Sequence, residues 1–171
     1  LQGSVTKAIV LDFDTPDRLM PVEFIQAASH YDLAAYLEIS KSKGHHLWIW
    51  FSGTGVPALK ARAVAKMILD EIDMPDVEIF PKHNSLGPDV RCGNCINAPL
   101  FGALMQFGKS VFVDPKTFRP YKNQWAFLGS IKKHDEEVLD DIIGINDLSL
   151  LVEKPLYVGA PKVITPRYTL P

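Results

Sequence analysis

The stretch Ile9 to Asp14, IVLDFD, constrains this chain more than any other. Side chains alternate across a strand, so Ile9, Leu11 and Phe13 share one face while Asp12 and Asp14 share the other. Two residues apart, the carboxylates lie roughly 6 to 7 Å from each other at the backbone, within reach of one divalent cation or of two bridged ones. Like charges this close raise one another's pKa, and a cation between them is the simplest remedy. The other reading is that the two acids end the strand and cap the turn at Thr15, Pro16 and Asp17.

The 171 residues, 47 % hydrophobic and 22 % charged, have the make-up of one soluble globular domain with a sizeable core. No apolar run nears the roughly 18 to 20 residues that span a bilayer, and the start lacks the basic and apolar regions of a secretory leader. A cytoplasmic protein with no membrane partner is expected. Cys92 and Cys95 are the only cysteines, which predicts no disulfide framework. A formal net charge of -2 gives no overall pull on nucleic acid, so any such binding is local. Charge is uneven along the chain. From Pro81 to Lys133 there are eight basic residues against Asp89 and Asp114, whereas His134 to Glu153 holds seven acids and no Lys or Arg. A basic middle suits a phosphate backbone, and a solvated surface with uneven patches is the alternative.

The spacing of Val22, Ile25 and Ala28 predicts a helix from about Pro21 to Tyr31. Ala35 to Ser40 and His46 to Phe51 read as two strands of a hairpin, with Gly44 in the bend. In the second strand His46, Trp48 and Trp50 share a face, and His46 then points where Asp12 and Asp14 point. A histidine just after a turn bearing Ser42, Lys43 and Gly44 suits an anion such as a triphosphate; a satisfied polar group at the sheet edge is the alternative. Pro57 to Ile72 is the clearest helix, with Lys60, Arg62 and Lys66 on its exposed side. Val77 to Phe80 reads as a strand, Pro81 to Gly93 as a loop, and Ile96 to Leu100 as extended. Ser110 to Asp114 is a further strand ending in a third carboxylate. Asn123 to Lys132 reads as a helix burying Trp125, Phe127, Leu128 and Ile131, and Asp135 to Ile143 as a short acidic helix. Leu1 to Thr6 carries no assignment. The expected division is a core over 1–143 and an irregular tail over 144–171.

Five segments together resemble a known family: LDFD at Leu11 to Asp14, SKSKGHHLWIWF at Ser40 to Phe51, EIFPKH at Glu78 to His83, GNCINAPLFG at Gly93 to Gly102, and GKSVFVDPKTFRPYKNQWAFL at Gly108 to Leu128. They are similar to the catalytic domain of the archaeo-eukaryotic primase superfamily. The nearest branch is the primase-polymerase type of TOTE conflict systems and CRISPR-associated primase-polymerases; the polymerase domain of bacterial end-joining ligases, with its SKGxH turn, is a more distant likeness. The resemblance spans about Val5 to Ile131.

It implies an α+β fold whose antiparallel or mixed sheet resembles an RNA-recognition fold, with helices on one face and the catalytic cleft on the other. The family's DxD motif falls on Asp12 and Asp14, and its third aspartate on Asp114. Its nucleotide-binding turn falls on Ser42, Lys43, Gly44 and His46, with Ser40 beside it. The implied activity is primer synthesis, DNA polymerisation or both, from nucleoside triphosphates on a single-stranded or primed DNA template, by a two-metal mechanism with Mg²⁺ or Mn²⁺ ions held by the three aspartates. A binding module without turnover, serving a defence complex, and a metal-dependent nuclease are the other readings. Lys82, His83, Arg119 and Lys122 are candidate nucleotide or template contacts. Trp125 and Phe127 read as core rather than as platforms for bases. Zinc is not expected, because Cys92 and Cys95 would need His83 and a fourth ligand. Relatives carry an α/β module upstream of the DxD strand and are often fused to helicase, nuclease or integrase-like regions. Eleven residues precede Asp12 here, so a minimal primase-polymerase or an excised core is expected, with helicase, nuclease or CRISPR-associated proteins as partners.

Overall fold

The computed structural model describes residues 4–86 and 94–148. In chain order these form β1 (Val5–Thr6), β2 (Ala8–Phe13), α1 (Leu19–His30), β3 (Tyr36–Ile39), β4 (His45–Trp50), β5 (Val56–Pro57), α2 (Ala58–Glu71), β6 (Glu78–Phe80), α3 (Gly102–Met105), β7 (Val111–Phe112), α4 (Gln124–Ser130) and α5 (Glu136–Ile145). Five strands make one sheet in the order β6-β2-β4-β3-β7, every neighbouring pair antiparallel. β1 and β5 form a separate two-stranded ribbon. The α+β class and the antiparallel sheet expected from the sequence are present.

Alternation along the strands gives the sheet two unlike faces. Ile9, Leu11 and Phe13 of β2, Leu37 of β3, and Leu47 and Ile49 of β4 pack beneath α1, α2 and α5 in the larger core. α2 approaches closely because Ala58, Ala61 and Ala65 line its inner side. Val64, Ile68 and Leu69 fill the space between, all fully buried. Each such aliphatic side chain contributes about 1.5–3 kcal/mol on burial. Lys60 ties α2 to α5 through Glu136 at 2.6 Å and Asp140 at 2.5 Å.

The opposite face is divided. Val10, Trp48, Phe80, Leu100 and Phe112 form a smaller core on one half, and Tyr121, Phe127 and Leu128 pack on it from α4 and the turn before it. α4 begins at Asn123, whose side chain accepts from the Ala126 amide at 3.0 Å. Its inner side carries Gln124, Phe127 and Leu128, at i, i+3 and i+4, which rotates Trp125 into solvent at 65 % exposure. Trp125 is therefore not core, contrary to the sequence reading, whereas Phe127 packs against the rings of Tyr121 and Phe112.

Both edges of the sheet are occupied by side chains. On β7, Gln124 accepts from the Phe112 amide and donates to the Phe112 carbonyl, each at 2.8 Å, so its carboxamide stands where a sixth strand would pair. On β6, Arg62 of α2 donates to the carbonyls of Ile79 and Pro81. Arg62 is thus half-buried and engaged, not the exposed cation expected from helical spacing. His134, 1 % exposed, joins the outer segments: its amide donates to Trp50, its carbonyl accepts from Ser52, and its Nε2 accepts from the Ala34 amide at 2.9 Å. Ile96 to Leu100, expected to be extended, forms no strand, and the tail expected over 144–171 lies mostly outside the described residues. No described helix is long and apolar enough to cross a membrane.

Candidate functional site

The other half of the divided face is polar, and the strand register assembles it. Asp12 of β2 lies opposite Glu78 of β6 on one side and His46 of β4 on the other; His46 lies opposite Glu38 of β3, and Glu38 opposite Phe112 of β7. Directly opposed residues in antiparallel strands share a face, so Glu78, Asp12, His46 and Glu38 form one transverse row. His46 Nε2 lies 3.6 Å from Asp12 Oδ1 and Nδ1 lies 3.0 Å from Glu38 Oε2. Glu38 is buried and is the residue that sequence reasoning missed. An acid in mid-strand between Leu37 and Ile39, facing the partner strand's histidine, was the available signal.

Asp14 follows Asp12 at the mouth of this row and is exposed. The turn at 41–44 is fastened beside it. Ser40, buried, donates its amide to the Gly44 carbonyl at 3.0 Å and accepts from the Ser42 amide through Oγ at 3.3 Å. Gly44 rests so closely on β2 that a Cβ there would lie 2.0 Å from the Phe13 carbonyl oxygen. Lys109, from the segment before β7, donates to the Ser42 carbonyl. Ser42 and Lys43 are exposed. The nucleotide-turn candidates Ser40, Ser42, Lys43, Gly44 and His46 thus lie together at the end of the strand that carries Asp12 and Asp14.

Asp114 is elsewhere. β4 and β3 stand between β2 and β7, about 14 Å at the usual strand spacing. β7 also runs opposite to β2, and its register with β3 carries Asp114 beyond Phe112 toward the Tyr36 end of the sheet. Its carboxylate accepts from the amides of Lys116 at 2.8 Å and Thr117 at 2.9 Å, which close a turn and hold its pKa below the usual carboxylate range. The structure therefore does not bring Asp114 to Asp12 and Asp14; the acid it places opposite Asp12 is Glu78. Lys82 bonds Glu78 at 2.8 Å and lies 5.0 Å over the Phe80 ring, at the margin of the row. His83 is half-buried just beyond. Arg119 and Lys122 are exposed past β7, on the far side with Asp114.

A cleft of about 350 Å³ opens along the β2–β6 side, lined by Asp12, Asp14, Asp73, Asp76 and Glu78 together with Phe13, Met20 and Met74. Burial chiefly, and then Asp14 and Glu78, push the Asp12 pKa up, while His46 and Lys82 oppose the rise. A hard cation would relieve that strain, and carboxylate oxygens are the donors that Mg²⁺ and Mn²⁺ take. Among the described residues no three acidic, histidine or cysteine side chains are arranged to hold a metal ion as they stand, and Glu78 is turned onto Lys82. The donors fit in kind, with Asp12 and Asp14 as the pair to hold such an ion and Glu78 as the third carboxylate within reach of the same row. Cys92 lies outside the described residues, and Cys95 is exposed.

The described residues thus form an α+β domain in which an interior strand, β2, leads into paired carboxylates beside a glycine-tethered turn and a buried histidine. Residues 1–142 match the family described as the Archaeo-Eukaryotic Primase domain of the TOTE conflict system. The chain belongs to that family, as its motifs suggested. No curated protein matches it significantly.

Proposed function

We propose that this domain catalyses template-directed nucleotidyl transfer from nucleoside triphosphates, the oxygen of a primer 3′-hydroxyl bonding to the α-phosphorus as pyrophosphate leaves. The observation that carries this reading is the register that lines up Glu78, Asp12 and His46 in one row, with the Ser40 to Gly44 turn seated on the end of the same strand. A bound Mg²⁺ or Mn²⁺ supplies charge neutralisation on the triphosphate. Asp12 and Asp14 hold it, and Glu78 takes the third position that the sequence reading gave to Asp114. Lys43 and the amides of the turn bind phosphate oxygens, and His46 faces the nucleotide through Nε2 on the inner side. The basic excess from Pro81 to Lys133 supports the approach of a DNA template, with Lys82 and His83 flanking the cleft; helicase, nuclease or CRISPR-associated components of a defence system are the proposed partners.

The test is incorporation of labelled nucleotide on a primed DNA template with Mg²⁺ or Mn²⁺, with Asp12→Ala/Asp14→Ala as the control. Incorporation lost in the control supports the reading. Nucleotide binding without incorporation by the unaltered protein identifies a binding module instead, and shortening of the template identifies a nuclease.

A further inference from the structure

The row at the site contains one charged group that the proposed chemistry does not use, Glu38. It is 1 % exposed, in the middle of a strand, where an apolar side chain would cost less. Its carboxylate is fully engaged. Oε2 accepts from Trp48 Nε1 at 2.6 Å and lies 3.0 Å from His46 Nδ1, and Oε1 accepts from Ser110 Oγ at 3.2 Å. Ser110 Oγ in turn accepts from the Phe101 amide, so its one proton is directed at Glu38. Trp48 can only donate, and an ionised carboxylate can only accept. The contact with His46 therefore requires the proton on Nδ1. At 3.6 Å from Asp12, Nε2 is too distant for a hydrogen bond and is the ring nitrogen that faces the site.

We propose that Glu38 is a positioning residue for nucleotide binding: it fixes the His46 ring and its Nδ1 proton, so that Nε2 is presented to the bound nucleotide. Trp48 and Ser110 hold Glu38 in place. The inference rests on the nucleotide-binding role given to His46 above. Behind metal-ligating histidines, carboxylates that orient the ring in this way change metal affinity or activity by about 10- to 100-fold when removed, which sets the scale expected here.

Two measurements test this. In ¹⁵N NMR of the histidine-labelled full chain, neutral His46 is expected to carry its proton on Nδ1; an Nε2-only tautomer would overturn the proposal without any substitution. In titrations of a fluorescent deoxynucleoside triphosphate with Mn²⁺, Glu38→Ala should weaken binding at least tenfold. Glu38→Gln, whose carbonyl can still accept from Nδ1, should stay within about threefold of the unaltered protein. The double variant Glu38→Ala/His46→Ala should bind no worse than His46→Ala, since both changes remove one action. Additive losses, or equal losses in the Gln and Ala variants, would overturn it. If His46→Ala itself binds normally, the nucleotide-binding reading of His46 falls, whichever tautomer the ring shows.

Discussion

Substituting Gly44 by alanine should separate the machinery of the site from the stability of the fold. The added Cβ would lie 2.0 Å from the Phe13 carbonyl oxygen, 3.0 Å from the Phe13 carbonyl carbon and 3.2 Å from Asp14 Cα, all backbone atoms of β2 and its exit. Real Cβ contacts do not fall below about 3 Å, so the turn must withdraw by about 1 Å. Overpacking of this size costs about 1–3 kcal/mol. At roughly 2–4 °C per kcal/mol for a chain of this length, the melting temperature should fall by about 2 to 12 °C. The protein remains folded, yet its nucleotide turn has moved relative to Asp12 and Asp14. A misplacement of about 1 Å can cost on the order of 100-fold in rate. The assay is primer extension at saturating nucleotide, alongside a thermal melt of the same preparation. Gly144→Ala is the control. It lies within α5 with no atom within 4 Å of its added Cβ, so it should leave extension unchanged and stabilise by up to about 1 kcal/mol. A Gly44→Ala protein that melts and extends like the parent would refute the close seating of the turn on β2.

Glu78→Gln should lower nucleotide incorporation by about two orders of magnitude, while Asp114→Asn should lower it less than threefold; the reverse order in a primer-extension assay would return the third carboxylate to Asp114. Burial raises the Asp12 pKa in the fold, so the native state favours its protonated form, and stability falls as pH rises from the unfolded carboxylate range through the folded value. Asp12→Asn should therefore raise the neutral-pH melting temperature measured without metal while abolishing incorporation, and an unchanged or lower melting temperature would contradict this. Burial chiefly lowers the pKa of His134 and of His45, so the fold favours the neutral form of both rings. Their contribution is complete above the unfolded histidine value near 6.5 and is lost as pH falls below it toward the folded values. Melting temperatures should decline from pH 7.5 to 5.5, less steeply in His134→Gln, and a flat profile in the parent would argue against buried neutral rings.

What was legible in the sequence was the part carried by periodicity. The alternation in IVLDFD and HLWIWF fixed which residues face the helices, and the long repeat from Pro57 to Ile72 fixed α2, because many consecutive residues vote for each period. β1, β5 and α3 are two to four residues long, too short to show a period, and β1 and β5 form by pairing with each other across the chain. Register is the larger omission. Sequence spacing placed Asp12 and His46 on one face, but only cross-strand pairing puts Glu78 opposite Asp12 and sets Asp114 apart on β7. Glu38 was passed over because a lone acid in a four-residue strand reads as an exposed position, while its partners Trp48 and Ser110 are 10 and 72 residues away. Trp125 was misplaced for a rotational reason: a polar Gln124, drawn inward by the backbone of Phe112, took the place that hydrophobicity would have given to its neighbour.

That glutamine has a consequence beyond the fold. A five-stranded sheet normally leaves two rows of amides and carbonyls that invite a second chain to dock strand to strand. Here one terminus of the sheet is met by a carboxamide and the other by a guanidinium, both rooted in helices of the same molecule. Replacing Gln124 with leucine would strip that cover from β7, and the first sign should be chain-to-chain association at high concentration rather than any loss of chemistry at the distant acidic row.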